Sequence, residues 1–78
     1  MDVKTFAARN GWTWRTNPDK SVAFMKSLTM ITVGYQDLTV TSFQVSVSHP
    51  DALLVAPKVQ GSHRDLTKKI IASMKSVV

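Results

Sequence analysis

The chain has no cysteine, which excludes a disulfide framework and a thiolate metal site. It has no glutamate either, and its five acidic residues are all aspartates. Each stands where a carboxylate steadies a turn or a helix start. Asp2 precedes a helical segment, Asp19 follows Asn17-Pro18, Asp37 lies in GYQD, Asp51 follows His49-Pro50, and Asp65 stands three residues after Ser62. None is left over as a general acid or base, which argues against an enzyme. The three glycines stand alone at 11, 34 and 61, so there is no glycine-rich phosphate loop. His49 and His63 are the only histidines, too few for the usual metal ligand set, and no metal or cofactor is expected. No apolar run approaches a membrane span or the core of a signal peptide. The expectation is a cytoplasmic protein with no membrane partner.

What is present suits one small globule. The 78 residues, 44% apolar and 19% charged, are ordinary for a folded chain and predict a single basic domain over residues 1–78. A chain of this size buries only about 60% of the surface its unfolded form exposes, so every apolar stripe is needed for the core.

Hydrophobic periodicity divides the chain. Residues 2–11 read as a short helix with Asp2 as N-cap, Val3, Phe6 and Ala7 as a narrow apolar stripe, and Asn10-Gly11 as the stop. WTWRT alternates as a half-buried strand, with Trp12 and Trp14 on one side and Thr13 and Arg15 on the other. NPDK suits a type I turn leading into a returning strand, SVAFM, that places Val22 and Phe24 with the tryptophans. A helix from Asn17-Pro18 to about Leu28 is the competing reading, but its apolar residues scatter around the cylinder, and the hairpin is preferred.

LTMITVGY and LTVTSFQVSVS are threonine- and valine-rich strands joined by a tight turn around Gln36-Asp37. The second changes phase: Leu38 and Val40 share one parity, and Phe43, Val45 and Val47 share the other. An extra residue near Thr41-Ser42 would put both sets on one face, which predicts a bulge there. HPD makes a turn, ALLV a short strand, and Pro57 ends it.

The C-terminal segment reads as an amphipathic helix capped by Ser62, with Asp65 in the capping-box position. At 100° per residue, Leu66, Ile70, Ile71, Met74, Val77 and Val78 fall in one arc, while Arg64, Lys68 and Lys75 lie opposite and Lys69 further round. Ser62, His63 and Asp65 are nearly adjacent, but neighbours entering a helix point in different directions, so capping explains them better than a nucleophilic triad does. The expected fold is α+β: a short N-terminal helix, an antiparallel sheet of three to five strands, and the C-terminal helix packed on one face of the sheet.

Charge is uneven. Ten Lys and Arg against five Asp give a net charge of +5, which favours acidic partners, nucleic acid first. From Ser27 to Pro57 there is no Lys or Arg, whereas residues 58–78 hold Lys58, Arg64, Lys68, Lys69 and Lys75 against Asp65. A neutral sheet and a basic end follow. The main expectation is non-enzymatic binding of DNA or RNA through phosphate contacts from Arg64, Lys68, Lys69 and Lys75, with Lys58 and Arg15 as additions. Trp12 and Trp14 are the candidate aromatic anchors. Two alternatives remain open: a small effector or inhibitor, of the kind phage accessory proteins exemplify, occupying an acidic surface of a larger complex; and a homo-oligomer pairing through the uncharged strands.

The strand FQVSVS, a turn, a short strand and then GSHRDLTKKIIASM is similar to the closing half of double-stranded RNA-binding domains. The likeness covers about the last 36 residues and implies that His63, Arg64 and Lys68 form a phosphate-facing group. The family's lysine pair at the helix start is His-Arg here, and its small-residue helix face is replaced by Ile70 and Ile71.

Overall fold

The computed structural model describes residues 1–77. Its elements run α1 (Val3–Arg9), β1 (Thr13–Thr16), β2 (Val22–Lys26), β3 (Thr29–Gln36), β4 (Thr39–Ser48), β5 (Leu53–Val55), β6 (Val59–Gln60) and α2 (His63–Lys75). The class is α+β. The strands form an antiparallel meander in the order β1-β2-β3-β4-β5, and β6 pairs with β4 beside β5. Pro57 follows the end of β5 as expected, and the two-residue β6 beyond it brings the sheet to six strands. Among the described residues no helix is long and apolar enough to cross a membrane.

Local chemistry explains the turns. Asn17-Pro18-Asp19-Lys20 closes with Lys20 N–H donating to the Asn17 carbonyl at 2.9 Å, and Lys20 then takes a left-handed φ of 72°. This is the three-residue hairpin loop of a type I turn followed by an αL residue, so residues 17–28 are a hairpin and not a helix. Ser27-Leu28 joins β2 to β3 and Asp37-Leu38 joins β3 to β4, with left-handed φ of 55° and 57° at Ser27 and Asp37. The second loop therefore sits one residue later than expected. Leu38, read as a core strand residue, is instead a loop tip and 89% exposed.

The bulge lies where the parity switch put it. Gly34 pairs with Ser42 but Tyr35 pairs with Val40, leaving Thr41 without a partner. The Thr41 hydroxyl donates to the Gly34 carbonyl at 3.2 Å, pinning the extra residue. Val40 and Phe43 consequently face the same way, and both are buried.

Register separates the two faces of the sheet. Trp14, Phe24, Ile31 and Val45 lie across from one another, as do Val22, Val33, Phe43 and Val59. This face carries the core, because Phe24, Ile31, Val33, Val40 and Phe43 pack with Leu66, Ile70 and Met74 of α2 and with Val3 and Ala7 of α1. Both helices thus cover one face. The other face presents Thr13, Arg15, Thr32, Ser42, Gln44 and Ser46, opposite in alternation to the core set.

Candidate nucleic-acid interface

Helix α2 is fixed at three points. Ser62 accepts the Asp65 backbone N–H at 3.2 Å, closing the expected N-cap, and Asp65 lies in the first turn where a carboxylate complements the helix dipole. Leu66, Ile70 and Met74 are at most 1% exposed, so the apolar stripe is locked into the core; Val78, the last residue of the expected arc, lies outside the described residues. The third tie was not legible in the sequence: the Val40 backbone N–H donates to His63 Nδ1 at 2.9 Å. Val40 lies on the edge of β4 before the part covered by β6, which begins opposite Ser42 and Phe43, so the imidazole serves where a neighbouring strand is missing. An imidazole nitrogen that accepts must be unprotonated, which leaves Nε2 as the proton carrier. The resemblance implied a phosphate-facing role for His63; the geometry gives Nδ1 an architectural one.

With the apolar side fixed inward, Arg64, Lys68, Lys69 and Lys75 are exposed. Among the described residues no carboxylate lies within ion-pair distance of them. Asp65 stands between Lys68 and Lys69 on the helix surface, three and four positions before them, so Lys75, ten positions on, lies farthest from its charge. Lys75 is not wholly free: its ammonium sits 5.9 Å from the centre of the Phe6 ring, a cation–π contact across the junction of the two helices.

The remaining candidates are dispersed. Arg15 pairs with Ala23 on the face away from the helices. Lys58 borders a depression of 270 Å³ on that same open face, together with Asp19, Thr32 and Gln44. Neither joins the α2 stripe. Trp12 is 4% exposed and belongs to the core, whereas Trp14 is 37% exposed, with its ring centre 5.5 Å from that of Phe24. Trp14 is the remaining aromatic anchor, but it projects from the opposite face of β1 to Arg15, so the two do not form one stacking platform.

Two lysines that sequence spacing did not single out lie near the α2 N-terminus. Lys4 and Lys20 border a 360 Å³ cleft with Asp2, Asp37, His63 and Thr67. Lys4 sits 5.8 Å from the centre of the Tyr35 ring. Burial of Tyr35, and secondarily the nearby Asp2 carboxylate, raises its phenol above the ordinary value of 10.0. The Thr5 backbone N–H, followed by its hydroxyl, holds the Asp2 carboxyl below its ordinary value. Lys26 is engaged elsewhere, donating to the Asn10 carbonyl at the end of α1 at 2.8 Å.

No family model, curated protein or solved structure matches the chain.

Proposed function

We propose that the protein binds nucleic acid without catalysis, laying the exposed side of α2 along a phosphate backbone. Arg64, Lys68, Lys69 and Lys75 supply the contacts, and Arg64 has the fork geometry that suits phosphate oxygens. The observation that carries the reading is the fixed exposure of these four cations on a helix whose other side is sealed into the core. Preorganisation of this kind means that little side-chain order beyond the cations themselves is lost on binding. Contacts of this type position a backbone but do not select bases, so binding is expected to be weakly dependent on sequence.

The test compares wild type with Arg64→Glu/Lys68→Glu in a titration of labelled duplex DNA and RNA at two salt concentrations. This pair avoids Lys75 and its contact with Phe6. Affinity should fall at least about tenfold with an unchanged melting temperature. Equal affinity of the two proteins would refute the reading.

A further inference from the structure

We infer that β5 is a self-pairing edge: two copies of this chain join antiparallel along Leu53–Val55, about a two-fold axis at Leu54. This goes beyond the nucleic-acid reading and uses a different part of the molecule.

The unpaired edge has a definite hydrogen-bond pattern. The Ala56 N–H donates to the Val45 carbonyl, and His49 and Ala52 exchange bonds across the preceding turn. Bonding alternates along an antiparallel ladder, so Ala52, Leu54 and Ala56 turn their backbone groups toward β4. Leu53 and Val55 turn theirs outward, to no partner among the described residues. The side chains repeat the message. Leu53, Leu54 and Val55 are 62%, 54% and 52% exposed, and together with Val45, Val47 and Ala56 they line an apolar depression of 400 Å³. The helix-covered core reaches Val45 but does not include Val47. Edge strands are blunted by short length, a lysine, a covering segment or a proline within the strand; β5 is short, at three residues, but it carries no lysine and its prolines stand outside it, at 50 and 57.

Charge selects the occupant. The protein carries +5, yet no Lys or Arg lies between Ser27 and Pro57, so this edge is where two cationic copies approach with least repulsion. Its flanking charges are opposite in sign, Asp51 before β5 and Lys58 after it. Antiparallel pairing about Leu54 sets Leu53 opposite Val55 of the second copy, where each pair exchanges two backbone bonds. The same register brings each Asp51 to within one position of the other copy's Lys58. A strand with this apolar centre and these oppositely signed ends complements itself when reversed, as an isologous interface requires.

Molar mass by light scattering or sedimentation over a concentration series tests the inference. Wild type should rise toward twice the 8.6 kDa of one chain. Val55→Pro removes only an outward N–H and should leave the circular dichroism and melting temperature intact while holding the protein monomeric. Leu54→Lys sets two ammonium groups across the axis and should raise the dissociation constant at least about tenfold. Asp51→Lys should weaken association, and adding Lys58→Asp should restore it. A wild-type protein monomeric to about millimolar concentration, where even weak self-association shows, would overturn the proposal. So would dimerisation unaffected by Leu54→Lys and Val55→Pro, or a binding partner other than a second copy that occupies β5 while the protein alone stays monomeric.

Discussion

Replacing His63 by alanine removes a single acceptor and strands a single donor. The Val40 amide that bonds His63 Nδ1 at 2.9 Å is part-buried, and Val40 itself is 2% exposed. Leaving such a donor unmet costs about 1–3 kcal/mol. His63 is exposed, so its removal opens no cavity, and water partly reaches the vacated position; the lower half of that range, about 1–2 kcal/mol, applies. For a chain of this length, each 1 kcal/mol shifts the midpoint by about 4–8 °C, giving a fall of about 5–15 °C. Thermal and urea unfolding of His63→Ala measure it, and exchange of the Val40 amide reports it locally. His63→Asn places a carbonyl oxygen near the position of Nδ1 and should recover part of the loss. His63→Ala melting with wild type, or His63→Asn no better than His63→Ala, would refute the account of how α2 is tied to β4.

Three further outcomes follow from the fold. A Cβ at Gly34 would collide with the Ser42 hydroxyl but would lie 3.7 Å from the Ser42 Cβ. Gly34→Ala should therefore destabilise by about 1 kcal/mol, and Gly34→Ala/Ser42→Ala should recover most of it in a double-mutant cycle. Asp37 holds a φ of 57° in a two-residue hairpin loop, so Asp37→Gly should raise stability by a few tenths to about 1 kcal/mol in urea unfolding. A pH series of melting temperatures tests the ionisable groups. Tyr35 has a raised value, so its contribution is complete below 10.0 and is lost as pH rises above it toward the folded-state value. Asp2 and Asp19 are lowered, by bonds from Thr5 and from the Ser21 hydroxyl and N–H respectively, so their contributions are present above the ordinary carboxyl value and fade as pH falls through the lowered ones. Loss of the alkaline limb in Tyr35→Phe would assign it; persistence would contradict the assignment.

Much of the architecture was legible because it depended on neighbours in the chain. The parity switch between Val40 and Phe43 located the bulge at Thr41, since alternation permits no other way to bury both residues. Ser62 announced the α2 cap, and the scattered apolar residues of 17–28 argued correctly against a helix. Illegible features depended on distant pairings. The bond from Val40 to His63 spans 23 positions, and β6 is too short to leave a periodic signature. The basic residues show the same division. Helical spacing alone grouped Arg64, Lys68 and Lys75, and strand alternation alone set Arg15 on the side away from the tryptophans, whereas the placement of Lys58 on that open face depended on the distant pairing of β6 with β4. Trp12 and Trp14 share a parity but differ in burial, because α1 and its left-handed Gly11, with φ 79°, return the chain so that Trp12 N–H bonds the Ala7 carbonyl.

The most direct test is the salt dependence of wild-type binding to a short duplex. Each phosphate neutralised on B-DNA contributes about −0.9 to the slope of log K against log salt. Four contacts from α2 predict a slope of about −3 to −4, reduced by about 2 in Arg64→Glu/Lys68→Glu. A slope near zero, or one that the double substitution leaves unchanged, would contradict the claim that the exposed face of α2 grips the phosphates.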